Sequence, residues 1–102
     1  FNITASGSSD YVFAADSKFF TANANDPVLY LRRGETYKFI VNASGHPFEI
    51  RASNGGSAYN TGVTNNTQSN GTITFIVPMA APATLYYQCT AHSGMGAVIN
   101  IV

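Results

Sequence analysis

The feature that most constrains the fold of this chain is its pattern of apolar residues, which recurs in short runs and follows no helical period. In residues 36–42 and 72–77 every second side chain is apolar, as in a strand that buries one face. Gly, Asn and Pro separate such runs. The sequence therefore predicts a single all-β domain over residues 1–102, a Greek-key β-sandwich or barrel of about seven or eight strands.

Strands are expected wherever a run rich in Val, Ile, Phe, Tyr and Thr lies between these separators. Two turns, Arg33-Gly34 and Asn70-Gly71, precede strands because Gly and Asn tolerate positive φ. Residues 53–70 show little apolar alternation, which predicts a long crossover between two sheets, with an interaction loop as the alternative. The expected strands are 1–4, 11–14, 28–31, 36–42, 48–52, 72–77, 85–88 and 97–102.

The charge content argues against two classes of partner. Only 10% of the residues are charged, and five basic and five acidic residues give a net charge of zero. Nucleic acid or an anionic membrane surface would require a basic stripe, so we expect neither as a partner. No run of about 18 apolar residues occurs, so we also expect no membrane span.

Several features favour an extracytoplasmic location. The chain opens at Phe1 without a basic and apolar leader, which leads us to expect a mature or excised segment. Low charge and Asn-X-Ser/Thr triplets at Asn2, Asn42, Asn65 and Asn70 favour a periplasmic, secreted, cell-surface or virion protein. A single cysteine excludes an internal disulfide, and a role as metal ligand would explain such a thiol in an oxidising compartment.

The most informative segment is residues 85–98, in which an aromatic strand runs into Cys89-x-x-His92-x-x-Met95 and a second strand follows. A thiolate, an imidazole and a thioether on one tight loop suit copper in both oxidation states. Zinc rarely accepts a thioether, and hard cations accept none of the three. The sequence therefore predicts a copper site.

A trigonal site of two imidazoles and one thiolate needs a second histidine, and His46 is the only other one. It precedes a predicted strand, and in a Greek-key arrangement that hairpin can lie beside the loop after Cys89. Taken singly, each residue has an ordinary explanation: a buried thiol, a satisfied histidine, a methionine filling the core. Their spacing and flanking strands together favour the metal site.

The other methionine, Met79, follows a strand without a nearby partner and is expected to pack in the core or at its rim.

At these residues the chain resembles the cupredoxins, such as plastocyanin and amicyanin, over most of its length. The Cys-x-x-His-x-x-Met spacing is similar to the short ligand loop of amicyanin, whereas plastocyanin has a longer gap before Met. The resemblance implies that His46, Cys89 and His92 are equatorial copper ligands and that Met95 is a long axial one. Tyr87, two residues before Cys89, lies where cupredoxins usually carry an aromatic residue.

Segments 45–48 and 85–89 also resemble cupredoxin-like domains embedded in larger surface or virion proteins. The chain departs from the family pattern at Pro47. Cupredoxins usually place Asn after the first histidine, and its backbone N–H can bond to the cysteine sulfur, whereas Pro has no N–H. Where amicyanin-like loops often carry Pro before the second histidine, this chain has Ala91, whose N–H is available. Both changes would tune the copper potential.

The resemblance implies a carrier that binds one copper per chain and transfers single electrons between redox proteins, not an enzyme. Cys89 and His92 are close together on one loop and lack an orienting third group, which argues against nucleophilic catalysis. The alternative is a structural or adhesive module of a larger surface or virion assembly, with or without copper.

Partner docking is expected at the outer edge of His92. The residues expected to form a small apolar patch there are Pro47, Phe48, Ala91 and Gly94. Weak redox encounters use interfaces of this small size, so we expect redox proteins to dock through apolar contacts.

Overall fold

The computed structural model describes residues 1–15 and 19–102, and these ranges contain ten β-strands and no α-helix. The strands are β1 Asn2–Ser6, β2 Asp10–Phe13, β3 Ala24–Asn25, β4 Leu29–Leu31, β5 Thr36–Asn42, β6 Phe48–Arg51, β7 Val63–Thr64, β8 Asn70–Ile76, β9 Thr84–Cys89 and β10 Gly96–Ile101. The predicted all-β class is confirmed. The two strands that the sequence did not indicate, β3 and β7, have two residues each.

Two mixed sheets form a sandwich. One has six strands in the order β3-β2-β1-β5-β8-β7, and the other has four in the order β4-β10-β9-β6. Most neighbouring strands are antiparallel, but β1 runs parallel to β5 and β4 parallel to β10. Because no described segment is helical, none supplies a helix long and apolar enough to cross a membrane.

The core lies between the sheets and contains the apolar residues of each alternating pattern. Burying one large apolar side chain completely stabilises a fold by about 1.5–3 kcal/mol, so a layer of this kind is the main stabilising element of the sandwich. The six-stranded sheet contributes Ile3, Tyr11, Phe13, Phe39, Val41, Ile73 and Phe75, and the four-stranded sheet contributes Leu29, Leu31, Phe48, Ile50, Leu85, Tyr87, Ile99 and Ile101.

Residues 52–69 connect β6 in one sheet to β8 in the other, which confirms the predicted crossover. The Asn66 side chain holds this segment against β6. Its amide nitrogen donates to the carbonyl of Ile50 at 3.0 Å, and its oxygen accepts from the Ile50 amide at 2.9 Å. The carboxamide therefore substitutes for a neighbouring strand along this part of β6.

Strand pairing places two loops at the same end of the sandwich. The first, residues 43–47, joins β5 to β6, and the second, residues 90–95, joins β9 to β10. Strands β6 and β9 are antiparallel neighbours with Phe48 opposite Cys89. The residues before Phe48 and those after Cys89 therefore extend from the sheet side by side.

Candidate metal centre

Three potential ligands meet where these loops leave the sheet. Each of the residues His46, Cys89 and His92 offers one donor atom, and these three atoms lie within 4.8 Å of one another. The Cys89 Sγ lies 3.9 Å from Nδ1 of His46 and 3.6 Å from Nδ1 of His92. The two imidazole ring centres are 5.1 Å apart. The sequence-predicted histidines and cysteine are thus brought together, although His46 and Cys89 are 43 positions apart in the sequence.

Burial differs among the three residues. Cys89, the last residue of β9, is completely buried and forms no disulfide. His46 and His92 are half-buried. The donor cluster therefore lies just below the surface, with its sulfur on the protein side and its imidazoles extending towards solvent.

Backbone hydrogen bonds determine the shape of the 90–95 loop. The Cys89 amide donates to the Met95 carbonyl at 2.8 Å, and the Met95 amide donates to the His92 carbonyl at 3.1 Å. Gly96 then starts β10 with a φ of 146°, a conformation that residues with a side chain rarely adopt. These contacts hold the ligand loop in a compact turn.

The 43–47 loop is held in a similar way. The His46 amide donates to the Ala43 carbonyl at 2.9 Å, across Gly45 with a φ of 81°. The Ala43 amide in turn donates to the Ser69 carbonyl at 2.8 Å. The loop is therefore bonded both internally and to the segment that leads into β8.

Tyr11 is a residue of this centre that sequence reasoning missed. Its hydroxyl donates a 2.7 Å hydrogen bond to the backbone carbonyl of His46, and its ring packs edge-on against Phe48 with ring centres 5.0 Å apart. Burial raises the pKa of Tyr11 well above its usual range, and hydrogen bonding and Coulombic interaction with Cys89 raise it further. A tyrosine hydroxyl is protonated at neutral pH even at its usual pKa of about 10, so Tyr11 can donate its hydrogen bond there.

The donor set has a specific chemistry. A thiolate and two imidazoles are ligands that copper and zinc accept, whereas magnesium and calcium prefer oxygen. Met95 is completely buried at the end of the same loop. Its amide and carbonyl bond to the backbone of the loop, and its role as an axial thioether ligand stays a prediction.

The expected docking patch needs one correction. Ala91 and Gly94 are exposed and Pro47 is half-buried. Phe48, however, is completely buried, so its inclusion in a surface patch was wrong. The physical reason is the alternation in β6: Phe48 and Ile50 point into the core, and the polar Glu49 between them points away.

No charged residue occurs in either ligand loop. The turn at residues 32–35, which holds three of the chain's ten charges, lies at the other end of β5. A cavity of about 380 Å³ also lies at that end and contains none of the three donor residues in its lining, which is Phe19, Tyr30, Arg32, Glu35, Thr36 and Tyr37. The donor cluster is thus a shallow site at the surface, separate from this cavity.

Comparison with known proteins gives the fold. No protein-family model and no curated protein matches the chain. Its structure is similar to a crystal structure of a mutant of rusticyanin, a cupredoxin, with a TM-score of 0.53 and 17% sequence identity. The match covers 99% of this chain and 76% of the rusticyanin chain. The chain therefore has a cupredoxin fold, and its three donor residues lie together at one end of that fold.

Proposed function

We propose that this chain binds one copper ion through His46, Cys89 and His92, with Met95 as a weaker fourth ligand, and carries single electrons between redox proteins. One observation carries the proposal: imidazole, thiolate and imidazole donors lie within 4.8 Å of one another in a chain with a cupredoxin fold. Two imidazoles and one thiolate form the trigonal donor set of copper electron-transfer sites.

Each residue contributes a separate property. Cys89 would supply the soft anionic donor, and its side chain is completely buried, so water has no access to the sulfur. His46 and His92 offer Nδ1 to the same point, since both of these atoms face the Cys89 sulfur. Met95 would add a thioether, which favours copper over zinc because zinc rarely accepts such a ligand.

The loops supply rigidity. Bound copper would provide a centre that gains and loses one electron between Cu(I) and Cu(II). The chain's part would be to hold the donors in one arrangement for both states, and the backbone bonds of residues 43–47 and 90–95 support this role because they hold the two loops that carry the donors. The donor side chains then need to rearrange little when the copper gains or loses an electron, which suits an electron carrier more than an enzyme.

Partners would reach the site at the half-buried His92. The exposed neighbours Ala91, Ser93 and Gly94 are small and uncharged, so a redox protein can approach the imidazole closely. We accordingly propose weak docking without charge steering. An extracytoplasmic location belongs to the same proposal, because the low charge and the Asn-X-Ser/Thr triplets of the chain favour such an environment, and binding a metal would account for its unpaired thiol there.

Voltammetry of the copper-loaded protein tests electron carriage and separates it from the structural alternative. A reversible one-electron wave that disappears in His92→Ala is expected of a carrier. A protein that takes up copper yet exchanges no electrons reversibly would instead be the structural or adhesive module. Thr36→Ala, an exposed change at the far end of β5, is the control and should keep the wave.

A further inference from the structure

We propose that Tyr11 is a positioning residue of the metal centre, whose hydroxyl holds the peptide between His46 and Pro47 and so presets the orientation of the His46 side chain. The inference deepens the proposed function and rests on it. Its geometric basis is the 2.7 Å hydrogen bond from the Tyr11 hydroxyl to the His46 carbonyl, between residues 35 positions apart.

The peptide between His46 and Pro47 has an unusual need for such a partner. Proline has no N–H, so this peptide unit can be held by hydrogen bonding only through its carbonyl oxygen. Among the described residues, the Tyr11 hydroxyl is the donor to that oxygen. Fixing the carbonyl restrains rotation about the Cα–C bond of His46 and so limits the directions in which its side chain can leave the backbone relative to Cys89.

Tyr11 is itself rigid, which a positioning residue must be. Its side chain is completely buried, and its ring is enclosed by Phe48 at 5.0 Å and Tyr87 at 6.3 Å between ring centres. Its amide donates to the Asp26 carboxylate at 2.8 Å. The hydroxyl is therefore presented to the His46 carbonyl from a fixed point on β2 and not from a mobile loop.

Tyr87 provides a matched control. It too is completely buried, and its hydroxyl donates to a backbone carbonyl at 2.7 Å. That carbonyl belongs to Pro27, which lies in neither ligand loop. Tyr11→Phe and Tyr87→Phe therefore remove the same group from similar surroundings, and both leave the ring in place. Only the first removes contacts with donor residues, namely His46 and Cys89, and the exchange of the His46 amide reports on the His46 contact alone.

The test measures Cu(I) affinity by competition with a chromogenic chelator, and amide hydrogen exchange in the metal-free protein. We expect Tyr11→Phe to weaken Cu(I) binding about tenfold and Tyr87→Phe to change it less than about twofold, since partners that orient a ligand typically contribute at least a factor of ten. Exchange at the His46 amide should accelerate in Tyr11→Phe only.

Equal Cu(I) affinities for the two variants would overturn the positioning role, even if both unfold more easily than the wild type. Failure of the wild type to bind copper would instead reject the proposed function. The exchange measurement still decides the role of Tyr11 in that case. Equal exchange at the His46 amide in both variants would show that the hydroxyl does not hold this loop.

Discussion

The amide of Thr90 donates a 3.0 Å hydrogen bond to the carbonyl oxygen of Pro47, so the residue after Cys89 is bonded to the residue after His46. This bond continues the pairing of β6 with β9, in which Phe48 lies opposite Cys89. Pro47 cannot donate to the cysteine sulfur, but its carbonyl still joins the two ligand loops. The donors of both loops are therefore held as one unit.

Met95→Gln should lower the reduction potential of the copper-loaded protein. An amide oxygen favours Cu(II) over Cu(I), whereas a thioether favours Cu(I). Voltammetry measures the shift, and Met79→Gln is the control because Met79 is 74% exposed in the turn before β9, away from the ligand loops. An unchanged or higher potential in Met95→Gln would show that the thioether does not bind the metal.

Electron self-exchange between two copies should depend little on salt, because neither ligand loop contains a charged residue and the chain has no net charge. NMR line broadening in mixed oxidation states measures the rate while the Debye length falls from about 30 to about 8 Å. Gly94→Lys should slow exchange at low salt, with partial recovery at high salt. The substitution is sterically open, since an added Cβ at Gly94 has no neighbour within 4 Å.

Glu35→Gln is the matched control for that variant, because it also raises the net charge by one but lies in an exposed turn at the other end of β5. It should leave self-exchange unchanged. If Gly94→Lys also behaves like the wild type, or if wild-type exchange varies steeply with salt, electrons do not leave through the His92 surface.

Gly96→Ala should destabilise the metal-free protein by about 3 kcal/mol, because backbone strain and an enforced contact each contribute about 1–3 kcal/mol. Gly96 has a φ of 146°, and an added Cβ would lie 2.8 Å from Cα of Gln88 and against the Tyr87 backbone. Urea unfolding measures the change. Gly94→Ala should alter stability by less than about 0.5 kcal/mol, and similar losses in both variants would contradict this explanation.

Asp26→Asn should stabilise the fold increasingly as the pH rises above 4. Burial raises the pKa of Asp26 above its usual 3.8, against the opposing hydrogen bonds from the Tyr11 and Gly96 amides, and the neighbouring Asp10 raises it further. A carboxyl with a raised folded-state pKa contributes its full stability below the unfolded value and loses it as the pH rises through the folded value.

Urea unfolding across the pH range measures this effect, with Glu35→Gln as the exposed control. The stability difference between Asp26→Asn and the wild type should grow from pH 3.5 to pH 7. Asparagine tolerates the backbone φ of 42° at this position. A difference that is independent of pH, or that shrinks as the pH rises, would contradict the account.

The ligand loop was predictable from sequence because its information is local. Cys89, His92 and Met95 lie within seven residues between two strands with clear apolar patterns. His46 could be added because it was the only remaining histidine. Strands longer than three residues were likewise found near their predicted positions, because the alternation of apolar and polar residues along a strand indicates which of its faces is buried.

Features that depend on distant contacts could not be predicted in this way. The pairing of the Tyr11 hydroxyl with the His46 carbonyl joins segments 35 residues apart and leaves no trace in local spacing. Strands β3 and β7 are too short to show a period. Phe48 was assigned to the surface from its nearness to His46 in sequence, although its alternation with Glu49 already indicated an inward side chain.

The central claim is that Cys89 supplies a thiolate to copper, and an absorption titration of the metal-free protein with Cu(II) tests it most directly. The account predicts an intense visible band, from thiolate-to-Cu(II) charge transfer, that saturates at one copper per chain. Cys89→Ser should remove the band, while Ser93→Ala, an exposed change in the same loop, should keep it. A band that survives in Cys89→Ser, or a wild-type protein that takes up zinc but no copper, would contradict the claim.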